Sequence, residues 1–495
     1  MGGARALNIA VAGGGIGGIT AALMLAKNGH RVTLHEKSDR LGGRLCFEEL
    51  GRFRIDQGPT IVLLPDMLLE LLREAGVDTS RISLLPCDPM YKIHYPDGAV
   101  FEKWHNEDRQ LAELKRLFPA DTDSYRRYMQ EHDESFPLGK QAFLDRPFLS
   151  TRQAFATANI RLLLKMRAYR SVRARAAAYF QDPRLADAYS LQTLYIGGAP
   201  RRTPALYSFI PYAEQRFGVW YVKGGYASLL PVLQEAMAAA SVEMKLRSTV
   251  TRIVVEEGSV KGLETQDGFL PYDKVIYNGD LPLLAGLVPG YGDELKKRRF
   301  TPSSGCLLVF LGTNRRWDHS VSHQFFLPPD FDRNLQRMFR EGTMPQTPSF
   351  YSFQPAAIDP EAAPEGESVL YLMIPTPPAS APFWQQADMP SRIQSLADWV
   401  VAEAERRSFP GLRASIVEQH VRTPLDAQAS GLFQGGNFGI APVMGQSGWM
   451  RPQFIPLPVQ GLYAVGASTH PGGGVPIVMQ GAKLLADHIR MELEL

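Results

Sequence analysis

Cysteine is scarce in this chain, and no pattern typical of a metal site occurs. The 495 residues include only three cysteines, Cys46, Cys87 and Cys306, which lie far apart in the sequence. Such a sparse and odd-numbered set excludes a disulfide framework and indicates a reducing compartment. Neither Cys-x-x-Cys nor His-Glu-x-x-His appears, so the sequence predicts no metal centre.

The chain also lacks an excess of one charge. It has 53 Lys and Arg against 51 Asp and Glu, a formal net charge of +2. This balance creates no long-range field of the kind that attracts nucleic acid, so we expect no nucleic-acid partner. The 45% apolar content is that of a folded protein. At about 150 residues per domain, the length predicts two or three domains.

One long stretch without charge stands near the start, in "IAVAGGGIGGITAALMLAKNGHRVTLHEK", residues 9–37. Between Arg5 and Lys27 it has no charged side chain, as in a secretion or membrane segment. Yet five glycines lie in its middle, where a membrane helix would lose apolar area. An apolar run comes before them, and a helix-forming run and a β-branched strand follow. This order predicts a nucleotide pocket instead of a membrane anchor.

Each part of this pattern has a role in dinucleotide binding. Gly13 permits a sharp turn, and Gly15 lets the backbone approach a pyrophosphate closely. Gly18 allows helix and strand to pack closely, and the helix N-terminus offers free N–H groups. Glu36 follows 18 residues after Gly18, where a carboxylate accepts hydrogen bonds from a ribose diol. The sequence therefore predicts a Rossmann-type nucleotide site.

Two later segments favour FAD over a nicotinamide. Gly42-Gly43-Arg44 comes six residues after Glu36, and "IDQGPTIV" follows at 55–62. A second glycine pair with an arginine suits a longer ligand, since Arg44 supplies charge-assisted hydrogen bonds there. Residues 461–489 again read as strand, glycine turn and helix. We expect a cofactor domain built from both ends of the chain.

These motifs resemble those of known flavoproteins. The acid followed by Gly-Gly-Arg is similar to the amine-oxidase-like and carotenoid-desaturase-like FAD proteins. "GASTHPGGGVPIV" at 466–478 closely resembles the signature of bacterial carotenoid desaturases, the phytoene desaturase family. Residues 56–66 and 191–225 look most like its C30 branch, which acts on 4,4'-diapophytoene (dehydrosqualene). The resemblance extends from Ile9 to about Ile489.

The resemblance implies a set of residues that bind non-covalent FAD. The backbone of Val250 is expected to meet the adenine end. The predicted cofactor residues are Gly13, Gly15, Gly17, Gly18, Glu36, Lys37, Gly43, Arg44, Gly58, Pro59, Thr60, Val250, Gly466, Ala467, Val475 and Pro476.

The resemblance also implies stepwise desaturation of a long apolar isoprenoid, with hydride transfer to flavin N5 and loss of a proton. Nine aromatic residues lie between Tyr189 and Tyr226 and suit the wall of a polyene tunnel, although each is also an ordinary core residue. Glu214 is the candidate base, and its alternative is a surface carboxylate in a salt bridge. The candidate substrate-lining residues are Tyr195, Tyr207, Phe209, Tyr212, Phe217, Trp220 and His470.

A basic region at 160–180 indicates contact with a membrane surface. It carries six cations and no acid, and long basic side chains favour anionic headgroups. The cations spread around a helical wheel, so a solvated helix is the alternative. We expect a peripheral protein on the cytoplasmic side of a membrane, with quinone or oxygen as the final electron acceptor.

The predicted fold class is α/β, in three interwoven parts. A discontinuous Rossmann-type FAD-binding domain takes 1–95, 225–290 and 425–495. A substrate domain with an antiparallel sheet takes 96–110 and 291–424, and a helical, membrane-facing subdomain takes 111–224.

Other functions share this frame. They are a C40 phytoene desaturase, a C30 terminal-methyl oxygenase, an amine-oxidase-type enzyme with a polar substrate cage, and a redox-neutral carotenoid isomerase or carrier. The C40 phytoene desaturase differs from the main prediction in the length of its substrate, and the C30 terminal-methyl oxygenase differs in the bond that is oxidised.

Overall fold

The computed structural model describes residues 6–494, apart from the side chain at position 151. Arg5 and the four residues before it, which begin the predicted FAD-binding domain, lie outside the described residues. The strands are β1 Asn8–Ala12, β2 Arg31–His35, β3 Phe47–Leu50, β4 Phe53–Asp56, β5 Leu84–Pro86, β6 Tyr91–His94, β7 Val100–Lys103, β8 Trp220–Val222, β9 Glu243–Lys245, β10 Val250–Glu256, β11 Ser259–Thr265, β12 Gly268–Pro271, β13 Lys274–Tyr277, β14 Gly305–Thr313, β15 His323–Phe326, β16 Phe350–Phe353, β17 Ser368–Thr376, β18 Ile416–Arg422 and β19 Leu462–Ala464.

The α-helices are α1 Ile16–Lys27, α2 Pro65–Glu74, α3 Glu107–Leu117, α4 Thr122–Phe143, α5 Thr151–Ala154, α6 Thr157–Lys165, α7 Val172–Ala176, α8 Pro183–Ala188, α9 Phe209–Phe217, α10 Leu229–Ala239, α11 Asp293–Lys297, α12 Phe331–Gln336, α13 Met389–Arg407, α14 Leu412–Ser415, α15 Pro424–Ala429 and α16 Val475–Glu494. A π-helical turn, Arg337–Glu341, follows α12. The 3-10 segments are Thr79–Arg81, Pro119–Asp121, Leu191–Ile196, Ala205–Ser208, Tyr226–Ser228, Leu281–Gly286, Pro355–Ala357, Pro360–Ala362, Pro382–Gln385, Phe433–Gly435, Met444–Gln446 and Gly448–Met450.

A five-stranded parallel sheet has the order β19-β13-β1-β2-β9. Its central strand, β1, is apolar and almost fully buried, as a strand covered on both faces must be. The expected strand, glycine turn, helix and strand at 9–37 is present as β1, α1 and β2. The sheet takes its strands from the beginning, the middle and the end of the described chain.

Helix α1 is buried along most of its length and packs against α16. It begins directly after the glycine turn, and a Cβ on Gly18 would collide with the carbonyl oxygen of Gly13. Gly18 therefore serves the close helix–strand packing that the motif predicts. The helix ends at Lys27, followed by Gly29 with a positive φ of 88°.

A seven-stranded sheet has the order β18-β14-β17-β16-β15-β6-β7. Its pairs are antiparallel except for β15 with β6, which run parallel, so the expected purely antiparallel sheet is wrong at this edge. No short turn joins β6 to β15, and the chain is therefore free to dock the β6–β7 hairpin in either direction. This sheet also begins at Tyr91, before the expected boundary at 96.

A helical layer made of α3, α4, α7, α8 and α9 covers one face of the seven-stranded sheet, and α13 covers the other. The short helices α5 and α6 pack against the end of α4. The core between the sheet and this layer is rich in aromatic residues. The basic region at 160–180 is not one helix: α6 and α7 are separated by a turn in which Arg167 has a φ of 50°. Arg173 and Arg175 of α7 are buried, where they pair with Asp187 and Glu131.

Candidate active site

A single cavity of about 1050 Å³ joins the parallel sheet to the aromatic core. One end is formed by the turn between β1 and α1, and the other by α4, α9 and the seven-stranded sheet. Pockets of this size hold cofactors and drug-sized ligands. The cavity is therefore large enough for a long ligand that reaches from one end towards the other.

The turn after β1 presents bare backbone to the cavity. Gly13 has a φ of 115°, a conformation that favours glycine. Gly15 is the N-cap of α1 and offers no side chain to the first N–H groups of the helix. Those donors remain available to an anionic ligand, and the positive end of the helix dipole adds to the attraction.

Asn278, directly after β13, holds this turn in place. Its Nδ2 donates to the carbonyl oxygens of Gly13 and Gly15 at 3.0 and 3.3 Å. A Cβ on Gly466 would lie 3.4 Å from its Oδ1, so the same side chain also borders the C-terminal turn. Sequence reasoning missed Asn278, because only the pairing of β13 with β1 and β19 brings it there.

Glu36 lies at the end of β2, buried beside the glycine turn. Its Oε2 accepts from the backbone N–H of Gly14 at 2.7 Å, and its Oε1 accepts from that of Ser38 at 2.9 Å. These bonds fix the orientation of the carboxylate, and each oxygen keeps a second lone pair. Glu36 lines the cavity where the motif expects a ribose-binding acid.

Arg44 and Asp280 connect the second glycine pair with the C-terminal turn. Arg44 donates to the carbonyl oxygen of Asn437 at 2.5 Å, and its Nη2 lies 3.9 Å from Asp280 Oδ1. Asp280 accepts from the hydroxyl of Ser468 at 3.1 Å and from the N–H of Phe433 at 2.9 Å. Although Asn437 lines the cavity, its Oδ1 is buried with no hydrogen-bond partner in residues 6–494.

The predicted cofactor residues come together in this cavity. All of them line it except Gly18, whose role is the packing of α1 against β1. Lys37 lines it as well, with its Nζ donating to the carbonyl oxygen of Ser430 at 2.7 Å. The contact that each makes with FAD stays a prediction.

The predicted substrate-lining residues divide into two groups. Tyr195, Tyr207, Phe209 and His470 line the cavity. Tyr212 and Phe217 do not, since α9 presents only one of its faces to the cavity, and neither does Trp220, which lies in β8. The hydroxyl of Tyr212 donates instead to Asp133 at 2.7 Å, on the side of α4.

Several aromatic residues and one methionine of the cavity were missed by sequence reasoning. Four come from the strands β15, β16 and β17, and two from α4: Phe325, Tyr351, Tyr371, Met373, Phe136 and Phe143. Successive side chains of a strand point to opposite faces of the sheet, and this alternation was the only sequence signal available for these strand residues. Which face meets the cavity depends on strand pairing that no local pattern reveals.

Glu214 lies behind the cavity wall, fully buried, and does not line the cavity. Its Oε2 accepts from the hydroxyl of Tyr91 at 2.7 Å and from Gln192 Nε2 at 3.0 Å. Burial raises the pKa of Glu214, with the nearby Lys103 opposing the shift, and lowers the pKa of the buried Lys103 to about 7. The alternative of a surface salt bridge is wrong. The role of Glu214 as a catalytic base stays a prediction. Its position does not favour that role, because the carboxylate does not line the cavity.

Known proteins are similar to this chain over nearly its whole length. The family model for flavin containing amine oxidoreductase matches residues 16–490. A 4,4'-diapolycopen-4-al dehydrogenase of Metabacillus indicus is 43% identical, covering 99% of both chains. A lycopene-forming phytoene desaturase of Paracoccus is 31% identical over 98% of this chain and 97% of its own. A 4,4'-diaponeurosporene-forming diapophytoene desaturase of Staphylococcus haemolyticus is 28% identical over 99% of both.

The chain belongs to the bacterial carotenoid desaturase family of flavin-containing oxidoreductases. Solved structures agree on the fold. An oxidoreductase from Methanosarcina mazei has a TM-score of 0.66 at 17% identity, covering 97% of this chain and 99% of its own. A putrescine oxidase variant has a TM-score of 0.65 at 13% identity, covering 99% and 98%. The predicted family and the flavin are thus confirmed, and the protein is an FAD-dependent oxidoreductase.

The residues present fit FAD. The bare turn at Gly13 and Gly15 suits a pyrophosphate, and Glu36 suits a ribose. The unpartnered Oδ1 of Asn437 is a buried acceptor that a ligand N–H can satisfy. The cavity continues from these residues to the aromatic wall, so it has room for the redox-active ring of FAD beside an apolar surface.

Replacement of Gly18 by alanine tests the cofactor turn. The new methyl group collides with the backbone of Gly13, so we expect a loss of FAD affinity of at least tenfold. Flavin absorbance per protein and the dissociation constant of FAD measure this. Gly286→Ala is the control, since no atom lies within 4 Å of its added Cβ. Equal FAD affinity in both variants would contradict the prediction.

His323 predicts a pH dependence of stability. It is buried behind Tyr351, whose hydroxyl lies 2.7 Å from its Nδ1, and burial lowers the pKa of His323 from 6.5 to about 3. Between these values only the unfolded chain binds the proton, so stability falls as pH falls from 6.5 towards 3. The loss is about 1.4 kcal/mol per pH unit.

His323→Asn removes this proton while keeping a polar partner for Tyr351. We expect the difference in the free energy of unfolding between pH 7 and pH 5 to shrink by about 2 kcal/mol. Chemical denaturation at the two pH values measures it. Exposed His319→Asn serves as the control and should leave the difference as in the parent protein. An unchanged difference in His323→Asn would argue against a neutral buried histidine.

Proposed function

We propose that the protein removes hydrogen from adjacent carbons of a C30 carotenoid precursor, 4,4'-diapophytoene, in successive steps. The observation that carries this is the continuity of one cavity, from the FAD turn to a wall of aromatic side chains. Diapophytoene and phytoene desaturases among the relatives support the substrate class.

The hydroxyl groups of two tyrosines in the aromatic wall, Tyr195 and Tyr351, are buried or hydrogen-bonded within the protein. The ring of Tyr195 stacks on Phe325 at 5.9 Å between centroids, and its hydroxyl is buried away from the surface. The hydroxyl of Tyr351 bonds with Thr60 Oγ1 at 2.8 Å and with His323. Flat apolar surfaces suit a polyene, which has no polar atom to offer.

FAD supplies the acceptor for the hydride that leaves an allylic carbon of the substrate. The side chains around the chamber keep water out and hold the polyene in line. Burial lowers the pKa of cavity-lining His470 to about 4, so it is neutral at physiological pH. A neutral His470 adds no positive charge beside a substrate carbon that is briefly cationic before it releases its proton.

Oxidation of a terminal aldehyde to an acid is the second candidate. The observation that favours it is the 43% identity with a protein named 4,4'-diapolycopen-4-al dehydrogenase, against 28% with a diapophytoene desaturase. Here water adds to the aldehyde, and the hydrated carbon gives up a hydride and a proton. The same cavity would then hold a finished polyene with an oxygen at its end.

Expression in two pigment backgrounds decides between these reactions. Cells that accumulate dehydrosqualene should turn yellow to red, with products each two mass units lighter than the last. Cells that accumulate diapolycopenal should keep the aldehyde. Conversion of the aldehyde alone, to a product 16 mass units heavier, would replace the first proposal by the second. Unchanged pigment in both, with soluble FAD-loaded protein, would exclude C30 substrates.

We also propose that the protein sits on a membrane surface, through the region around α5 and α6. No helix within residues 6–494 is long and apolar enough to cross a bilayer, so contact would be peripheral. Large apolar side chains are exposed here, with Phe155 at 56%, Leu164 at 60% and Tyr169 at 63%. Exposed apolar groups that cluster in this way mark interaction surfaces.

Cations accompany this apolar surface. Arg161, Arg167 and Arg170 are exposed and form no ion pair within the described chain, whereas Lys165 pairs with Glu134 at 3.1 Å. Buried residues of α5 and α6, Ala154 and Leu162, pack in one cluster with Phe143, which lines the cavity, so this surface lies close to the chamber that an apolar substrate would enter. In this proposal the basic region contacts the membrane through these three arginines and the exposed apolar side chains.

The proposed final electron acceptor, which reoxidises the flavin, is quinone or oxygen.

Replacing Phe155 and Leu164 by serine tests this surface. Binding to vesicles with anionic headgroups should weaken at least tenfold, because two exposed apolar anchors are removed. Co-sedimentation measures the partition, with FAD content as a check on folding. Phe269→Ser, which removes a 50% exposed side chain on β12, is the matched control. A double variant that binds vesicles like the parent protein would rule out this surface.

A further inference from the structure

Arg451 is a buried cation that the cofactor motifs do not include. It follows the 3-10 turn Gly448–Met450, is 3% exposed and lines the cavity. Its Nε donates to the carbonyl oxygen of Thr469 at 3.1 Å, and its Nη1 to that of Gln446 at 3.0 Å. Its Nη2 donates to the carbonyl oxygen of Ala467. Nη2 also donates to the carbonyl oxygen of Ile440 at 3.5 Å, so four peptide carbonyls hold the guanidinium beneath the C-terminal glycine turn.

No carboxylate neutralises this charge. Arg451 forms no ion pair in the described part of the chain, and Asp280, which interacts with it at longer range, already binds Ser468 and Phe433. Burial lowers the pKa of Arg451, with Tyr207 and Asp280 opposing the shift. An arginine nevertheless stays protonated in proteins. A buried cation bonded only to neutral carbonyls is costly unless an anion comes close.

Its position is the junction between the cofactor turn and the aromatic chamber. Gly472 lies against the guanidinium, since a Cβ there would be 3.7 Å from Nε of Arg451. Tyr207, on the other side, belongs to the aromatic wall. The cavity passes Arg451 between the C-terminal glycine turn and this wall, so FAD bound at the Gly13 turn with its redox-active ring towards the wall would have that ring beside the cation.

We propose that Arg451 supplies the positive charge that favours reduced FAD over oxidised FAD. A hydride carries two electrons and one proton, so its arrival adds one unit of negative charge to a neutral flavin ring. A fixed cation nearby stabilises that charge more strongly than the neutral ring, and the apolar surroundings reduce its screening. Arg451 thus acts on the cofactor as a positioning and electrostatic residue, whichever substrate supplies the hydride.

Three arginine variants test the charge. Arg451→Gln should lower the ratio of affinity for reduced over oxidised FAD at least tenfold, which moves the midpoint potential about 30 mV more negative for a two-electron couple. Arg451→Lys keeps the charge and should shift the ratio less than threefold. Arg298→Gln is the matched control, because exposed Arg298 also donates to a carbonyl, that of Met450, but does not line the cavity. Spectroelectrochemistry on FAD-loaded protein measures all three.

Two results would overturn the proposal. One is a midpoint potential in FAD-loaded Arg451→Gln equal to that of the parent protein. The other is an equal shift of the potential in Arg451→Lys, which would assign the effect to the carbonyl bonds.

Where Arg451→Gln fails to fold, sulfite is the probe on the parent protein and on Arg451→Lys. Sulfite adds to the flavin ring and leaves a negative charge on it, so both proteins should bleach reversibly with affinities within threefold. A parent protein that forms no sulfite adduct contradicts a fixed cation beside the ring.

Discussion

The structure depends on one constraint, that the carboxyl ends of β1, β13 and β19 lie side by side in a parallel sheet. Only this pairing brings the turn after β1 next to the turn after β19. Asn278, at the end of the strand between them, bonds to the first turn and borders the second. The cofactor site, the cavity that continues from it and the location of Arg451 all follow from these three neighbouring strand ends.

Polar groups around the substrate chamber are arranged so that hydrogen bonds point away from it. Glu214, Tyr91 and Gln192 form one chain of hydrogen bonds behind the wall, which leaves Glu214 Oε1 and Gln192 Oε1 without a partner in the described residues. Thr60, Tyr351 and His323 form a second chain of bonds. A tyrosine anchored through its hydroxyl keeps a fixed ring orientation that phenylalanine lacks, and its apolar face is what a ligand meets. Polar residues can thus build an apolar chamber.

Local sequence predicted the cofactor end well and the chamber poorly. The pattern from β1 to Glu36 needs only neighbours in sequence, and so does the turn before α16. Tyr351 and Tyr371 reach the cavity through the pairing of β16 with β17, which a local window does not contain. The burial of Arg173 and Arg175, which the sequence placed in a membrane-facing or solvated basic region, was missed for the same reason, since their partners Asp187 and Glu131 lie outside that region.

The place of β19 and α16 in the chain has a consequence for biosynthesis. The glycine turn after β1 leaves the ribosome early, but its partner at Gly466 follows more than 400 residues later. Until then the apolar edge of β13 that β19 covers is open, and half of the cofactor cradle is missing. Flavin capture must therefore wait until the segment that carries β19 and α16 has been synthesised.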